Sequence, residues 1–168
     1  MEPYRSLDRR AAARSALSIS YSLRHPKPDD LTAIRQLLLN EMKVDTPLAV
    51  LASDLERVDR DLWVCVAESE AIIGWLSARF VAQEAELMEM VIAPQFRRMG
   101  LGGQMLDGFI ERSRAAGGRT IHLEVRAMNQ GAIAIYESRG FHRVGIRSGY
   151  YADGEDAVLY SLDLRSLG

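Results

Sequence analysis

The sequence has only one cysteine, Cys65, in 168 residues. A lone cysteine cannot form an internal disulfide, and the apolar run around it, residues 62–67, is typical of buried packing. The sequence also has no apolar run near the ~20 residues that span a bilayer, and no apolar segment with a small-residue cleavage site near its start. We therefore expect a cytoplasmic protein that does not bind a membrane.

Neither sign of charge is in large excess: 21 lysines and arginines stand against 23 aspartates and glutamates, for a formal net charge of −2. Nucleic-acid-binding domains are normally strongly basic, so this balance predicts no broad nucleic-acid binding. The three histidines, His25, His122 and His142, are scattered, and no pair has the spacing of metal ligands. We expect no metal site.

The first eighteen residues differ from the rest of the chain. They contain four arginines, at positions 5, 9, 10 and 14, and a short alanine run that offers little to bury. We expect a flexible Arg-rich N-terminal extension at residues 1–18 and one domain at residues 19–168, because a chain of this length suits a single core.

From about Ser20 the hydrophobic pattern alternates between the period of strands and that of helices. Four helices are predicted: one capped by Asp29 or Asp30, one at residues 48–58, one that follows the glycines at 100–103 and ends at Gly117, and one at residues 130–138. Strands are predicted at residues 21–24, 63–68, 72–81, 86–92, 120–126, 141–147 and 157–164. This order predicts an α/β (α+β) fold in which helices cover both faces of a mixed sheet.

The apolar run ending at Ile92 leads into the turn Arg97-Arg98-Met99-Gly100-Leu101-Gly102-Gly103, which an amphipathic helix follows. A helix start leaves its first amide N–H groups unpartnered, and glycines let the backbone close around an anion, so the turn predicts a phosphate cradle. Its spacing matches neither G-x-x-x-x-G-K-[ST] nor G-x-G-x-x-G, which points to a different pyrophosphate ligand. The glycines alone also allow an ordinary turn in which they serve only as a cap.

Together with the element order, the motif Arg97-x-x-Gly100-x-Gly102 resembles the GNAT superfamily of acetyl-CoA-dependent N-acetyltransferases. The second half of the chain resembles the ribosomal-protein-alanine N-acetyltransferase branch, which acetylates protein N-terminal amines. The matching segments are Leu123-Glu124-Val125-Arg126, Asn129, Tyr136-Glu137-Ser138, Gly140-Phe141, Arg147, Tyr150-Tyr151 and Glu155-Asp156-Ala157. The resemblance implies the GNAT fold, a mostly antiparallel sheet of six to seven strands with about four helices.

This resemblance also implies where acetyl-CoA binds. The backbone of Met90, Val91 and Ile92 would lie along the acetyl and pantetheine arm, and Asn129 would bond the pantetheine amides or cap its helix. The residues expected around the pyrophosphate are Arg97, Arg98, Met99, Gly100, Leu101, Gly102 and Gly103. On pattern alone, Met90 to Ile92 are also typical core residues.

The same resemblance implies that Glu124 is the general base and acts through a water. It implies that Tyr136 is the general acid for the coenzyme A thiolate and also contacts the cofactor. Taken alone, a glutamate on the polar face of a strand is usually solvated, and a helix tyrosine usually fills the core. Glu89 is a reserve base on the neighbouring strand. We expect Glu89, Tyr150 and Tyr151 to border the acceptor.

The expected acceptor is the N-terminal α-amine of a peptide or protein. Such an amine titrates near ~7.7–8 and a lysine near ~10.4, which makes its deprotonation easier by roughly 3–4 kcal/mol. The branch carries a Pro-Trp-Ser-like segment where this chain reads Val44-Asp45-Thr46-Pro47-Leu48-Ala49. A small amine (polyamine, aminoglycoside or amino acid) is therefore an alternative acceptor. A non-catalytic coenzyme A-binding module is an alternative function. The protein is expected to be a monomer or a homodimer.

Overall fold

A computed structural model describes residues 20–167, so the expected extension at residues 1–18 lies outside the described residues. The seven strands are β1 (Tyr21–Arg24), β2 (Arg60–Ala67), β3 (Ile72–Val81), β4 (Glu84–Ile92), β5 (Thr120–Arg126), β6 (His142–Arg147) and β7 (Ala157–Asp163). The four α-helices are α1 (Leu31–Met42), α2 (Leu48–Leu55), α3 (Leu101–Ala115) and α4 (Gln130–Glu137). Short 3-10 turns occupy Pro28–Asp30, Pro94–Phe96 and Leu164–Leu167.

All seven strands form one sheet in the order β1-β2-β3-β4-β5-β7-β6. Every neighbouring pair is antiparallel except β4 and β5, which run parallel. The predicted mixed, mostly antiparallel sheet is confirmed. Strand β7 lies between β5 and β6, although β6 comes first along the chain.

Helices cover both faces of this sheet, as predicted. Trp75 of β3 and Val91 of β4 pack with α1 and Leu51 of α2 on one face. Neighbouring residues such as Leu76 point to the other face, where they pack with α3 and with Tyr136 of α4. This division follows from the two-residue period of a strand, which sends successive side chains to opposite faces.

Helix α2 is shorter than predicted. It ends at Leu55 rather than at Val58, because Val58 is fully exposed and Leu51 is the only buried residue of the helix. Strand β2 then begins at Arg60, three residues earlier than the pattern indicates, and Arg60 forms an ion pair with Asp54 of α2 at 3.1 Å.

Within the described part of the chain, no helix is long and apolar enough to cross a membrane.

Candidate active site

Strands β4 and β5 separate in the middle of the sheet. Their parallel pairing runs from Glu84 opposite Thr120 to Leu87 opposite Leu123, and β4 then continues for five residues to Ile92. At the same point β4 has a bulge, because Ser77 of β3 pairs with Glu89 and the next β3 residue pairs with Leu87. A bulge bends its strand and increases the local twist. The result is a gap whose β4 wall is the backbone of residues 88–92, including Met90, Val91 and Ile92.

The predicted anion cradle lies beyond the end of β4. Arg98 and Gly100 have left-handed φ angles of 60° and 83°, and α3 begins immediately afterwards without a side-chain cap. Among residues 20–167, no hydrogen-bond acceptor pairs with the six successive amides of residues 98–103. Left-handed residues next to a helix start turn consecutive N–H groups toward one point, which suits an anion such as a pyrophosphate.

The Arg97 side chain does not turn toward these amides. Its Nε donates to the carbonyl oxygen of Ile92 at 2.8 Å, and its Nη2 forms an ion pair with Glu41 near the end of α1. The side chain therefore ties α1 to the end of β4. The Arg97 side chain thus has its partners outside the cradle, whereas the neighbouring Arg98 has no ion pair within the described residues.

Glu124 lies where β4 and β5 part. Alternation along β5 buries Leu123 and Val125 against α3 and α4 and turns Glu124 to the opposite face. There its Oε1 lies 2.6 Å from Nη1 of Arg147, which reaches across β7 from the end of β6. Both side chains line an open groove of about 330 Å³ that continues along the sheet to Glu84. The carboxylate is thus accessible to a molecule that enters from this face.

Glu89 faces the same side of the sheet as Glu124. One of its oxygens, Oε2, accepts a 2.8 Å hydrogen bond from the indole N–H of Trp75, which is buried. This bond fixes the carboxylate against the core under α1. A fixed Glu89 carboxylate of this kind suits a residue that borders the acceptor.

Tyr136 lies on the other face. Its ring is 6% exposed, belongs to the cluster that contains Leu123 and Val125, and packs edge-on against Phe141 at 5.8 Å between centroids. Its hydroxyl has no hydrogen-bond partner among residues 20–167. Burial raises the pKa of Tyr136 to about 12, so the phenol keeps its proton at neutral pH. Asn129 caps the helix that carries it by accepting from the amide of Ala132 at 3.2 Å.

Tyr150 and Tyr151 lie in the loop between β6 and β7, with ring centroids 5.2 Å apart. Arg126, the last residue of β5, stacks 3.9 Å above the Tyr151 ring and forms ion pairs with Asp153 at 2.8 Å and Glu155 at 2.7 Å. Burial raises the pKa of Tyr151, with Glu124 adding to the rise and Arg126 opposing it. Tyr151 also raises the pKa of Tyr136, so the loop lies within electrostatic reach of both predicted catalytic residues.

Most of the acidic residues near the groove and the β6–β7 loop have local partners. Arg126 pairs with Asp153 and Glu155, Arg79 pairs with Glu86 at 2.6 Å, and Asp156 accepts from the amide of Gly149 at 2.8 Å. These bonds neutralise much of the negative charge, so less of it is available to attract cations. Those within the loop between β6 and β7 also fix that loop.

Sequence reasoning missed three ion pairs at the site. Arg147 pairs with Glu124, Glu41 pairs with Arg97, and Arg139 pairs with Asp107 at 2.6 Å. Each partner lies at least 23 positions away along the chain. No local period or spacing signals such pairs, and only the signs of the charges were available in the sequence.

Comparisons with known proteins agree with this geometry. The profile of the acetyltransferase (GNAT) family matches residues 29–141. Over 109 residues the chain is 37% identical to a [ribosomal protein bS18]-alanine N-acetyltransferase of Salmonella typhimurium, covering 63% of this chain and 74% of that protein. It is 24% identical over 157 residues to an N-alpha-acetyltransferase of Saccharolobus solfataricus, covering 86% and 93% of the two chains.

The fold has solved counterparts as well. The crystal structure of the ribosomal-protein-S18-alanine N-acetyltransferase from Escherichia coli matches with a TM-score of 0.78 and 28% sequence identity, over 86% of this chain and 94% of that one. The family profile spans more than half of the sequence, from the 3-10 turn before α1 to the residue before β6. On this evidence the chain belongs to the acetyltransferase (GNAT) family.

Proposed function

We propose that this protein transfers an acetyl group from acetyl-CoA to the N-terminal α-amine of a peptide or protein. One observation carries the proposal: Glu124 lies where β4 and β5 part, and Tyr136 lies on the opposite face of the sheet, in the cluster that contains Leu123 and Val125 of β5. A thioester in this gap would have a carboxylate on the side from which the amine arrives and a phenol on the side from which the thiolate departs.

The cradle supports acetyl-CoA as the donor. The amides of residues 98–103 would hold the pyrophosphate, and the edge of β4 that faces β5 at residues 90–92 would hold the pantetheine arm. Amides along that edge are also placed to stabilise negative charge on the acetyl oxygen. Acetyl-CoA supplies the activated acyl group, and the residues of the chain orient it and move the protons.

Glu124 would accept the proton of the attacking amine, directly or through one water, and Tyr136 would donate its proton to the sulfur when the carbon–sulfur bond breaks. A general base needs access to the acceptor, which the open groove gives Glu124. A general acid must be protonated at the working pH, which burial ensures for Tyr136. The α-amine is the easier acceptor for a carboxylate, since it loses its proton some two to three pH units below a lysine.

The named relatives support an α-amine acceptor. One is described as an alanine N-acetyltransferase of a ribosomal protein and another as an N-alpha-acetyltransferase. The segment that differs from the branch, residues 44–49, comprises most of the connection between α1 and α2 and the first two residues of α2, and its Val44 and Leu48 are exposed. Recognition of the first acceptor residues would therefore rest on apolar side chains here in place of a tryptophan.

The test is release of free thiol from acetyl-CoA in the presence of short peptides that differ only in their first residue. We expect turnover with a subset of peptides and none when the same peptides are N-terminally acetylated beforehand. A panel of polyamines, aminoglycosides and amino acids serves as the comparison. Turnover of a small amine together with no turnover of any peptide would contradict the proposal.

A further inference from the structure

Helix α4 is short, and few of its residues are buried. It has eight residues, of which Tyr136 alone is buried. Two side-chain bonds at the C-terminal end of α4 connect this helix to the rest of the domain. Tyr160 of β7 donates to Glu137 at 2.7 Å, and Arg139, just after the helix, binds Asp107 of α3. Both bonds are made by residues that follow Tyr136 along the chain, Glu137 directly and Arg139 three positions later.

The Arg139 bond is specific in its geometry. Its Nε and Nη2 lie 2.6 and 3.1 Å from the two carboxylate oxygens of Asp107, while Nη1 donates to Ser138 Oγ at 3.0 Å and to the carbonyl oxygen of Ile135 at 3.4 Å. A planar guanidinium bound along two edges has little rotational freedom. Arg139 therefore fixes the end of α4 against α3.

Gly103 makes this contact possible. A Cβ atom at Gly103 would lie 2.3 Å from Nη2 and 3.1 Å from Cζ of Arg139, so the guanidinium occupies the space of the missing side chain. At Gly102 a Cβ would make only ordinary contacts, at 3.6 Å to Ile135 and 3.8 Å to Ile92. The two adjacent glycines thus differ in their surroundings. The Arg139 guanidinium packs directly against Gly103, whereas Gly102 borders the gap.

We propose that Arg139, held by Asp107 over Gly103, is a positioning residue that sets the place of the Tyr136 hydroxyl. This inference rests on the proposed function of Tyr136 as the general acid. The hydroxyl has no hydrogen bond of its own within residues 20–167, so its place depends on ring packing and on where α4 lies. The guanidinium of Arg139 binds Asp107 and α4, so Arg139 acts through the position of α4 and does not contact the acetyl group.

The test compares four proteins: wild type, Arg139→Met, Tyr136→Phe and the double variant. We expect Arg139→Met to lower kcat by about tenfold, as a displaced catalytic group does, with the KM for acetyl-CoA changed less than about twofold. In the Tyr136→Phe background the same substitution should leave kcat unchanged, because the group that it positions is already gone. Arg139→Lys, which keeps the charge opposite Asp107, should recover part of the rate.

Asp107→Asn gives a second route to the same result and should reproduce the loss of kcat. Arg165→Met is the matched control, since Arg165 forms a similar two-edged pair with Asp163, at 2.9 and 2.8 Å, far along the chain from α4. Equal losses of kcat in the wild-type and Tyr136→Phe backgrounds would overturn the proposal, as would an unchanged kcat in both Arg139→Met and Asp107→Asn.

A measurement without turnover separates this inference from the proposed function. Amide hydrogen exchange of residues 130–137 should be faster in Arg139→Met than in wild type, while exchange in the middle of α3 stays the same. Unchanged exchange of α4 would overturn the positioning role even in an active enzyme. If exchange rises but wild type releases no thiol with any acceptor, the proposed function fails and the Arg139 bond is left as a structural one, which also overturns the inference.

Discussion

Arg147 reaches across β7 and places its Nη1 2.6 Å from Oε1 of Glu124. In the free protein the carboxylate proposed to receive the acceptor amine is therefore occupied by a cation of the chain itself. The Arg147 side chain is 52% exposed, and its guanidinium lies 5.4 Å from the centre of the Tyr150 ring. An incoming ammonium group must compete with this guanidinium before it reaches Glu124.

We predict that Arg147→Met lowers the KM for an acceptor peptide by about twofold to fivefold, because a half-exposed ion pair contributes at most about 1 kcal/mol. The matched control is Arg79→Met, which removes a similarly exposed arginine from an ion pair with Glu86 in the same groove. Steady-state kinetics with varied peptide concentration gives both values. A KM that rises in Arg147→Met, or falls equally in the control, would contradict the competition.

The two carboxylates on the acceptor face can be distinguished by substitution. Glu124→Gln should lower kcat/KM by about 100-fold or more and flatten its rise with pH, as expected for loss of a general base. Glu89→Gln can keep its bond to Trp75 through the amide oxygen, so its pH profile should retain the rise. A profile flattened by Glu89→Gln and preserved in Glu124→Gln would place the base on β4 instead.

Much of the fold follows from local pattern. The alternation of residues 120–126 predicts which side of β5 carries Glu124, and the structure agrees. The glycines at 100–103 predict a helix that follows them, and α3 starts within that run, at Leu101. The pattern predicts the end of α2 too far along because Val58 has the spacing of an apolar helix position, yet Val58 is fully exposed among residues 20–167. Local pattern describes each element well and its burial less well.

Long-range relationships could not be predicted in this way. The sequence does not indicate that β7 inserts between β5 and β6, since pairing between distant strands leaves no periodic signal. It predicts Arg97 as a charge beside the pyrophosphate, whereas the folded chain pairs that side chain with Glu41, 56 positions away. The resemblance to a family implies the proposed roles of Glu124 and Tyr136, and the structure adds the residues that contact them.

Alkaline unfolding offers a test of the Tyr136 environment. Its pKa is raised by burial from about 10 to about 12, so the folded state holds this proton more tightly than the unfolded chain. The stability from this group is complete below pH ~10 and is lost as the pH rises through ~12, with about 1.4 kcal/mol gone by pH ~11. Urea unfolding at both pH 8 and pH 11 should show that wild type loses more stability than Tyr136→Phe.

Cys65 provides an internal reference for that experiment. Burial raises its pKa from 9.0 to about 12, so its contribution declines from a lower pH than that of Tyr136, and it does so equally in both proteins. The difference between wild type and Tyr136→Phe therefore isolates the phenol. Equal losses of stability between pH 8 and pH 11 would show that Tyr136 is not buried as described.

Cofactor binding should depend on the glycine that borders the gap. Gly102→Val places a branched side chain toward Ile135 and Ile92, where we expect the start of the pantetheine arm, and should raise the Kd for coenzyme A by about tenfold, or about 1.4 kcal/mol. Gly108→Val is the control in the same helix, because the nearest atom to a Cβ there is Nη1 of Arg112, at 3.0 Å, and no residue of the gap lies within 4 Å. Calorimetric titration that finds the same Kd in both variants would argue against this path for the cofactor.

The most direct test uses one peptide that has a free N-terminal α-amine and an internal lysine. After incubation with the protein and acetyl-CoA, fragmentation mass spectrometry locates the added acetyl group. Our account predicts acetylation of the α-amine alone, and none of the lysine when the N-terminus is blocked. Acetyl found on the lysine, or no product from any peptide while a small amine is acetylated, would contradict it.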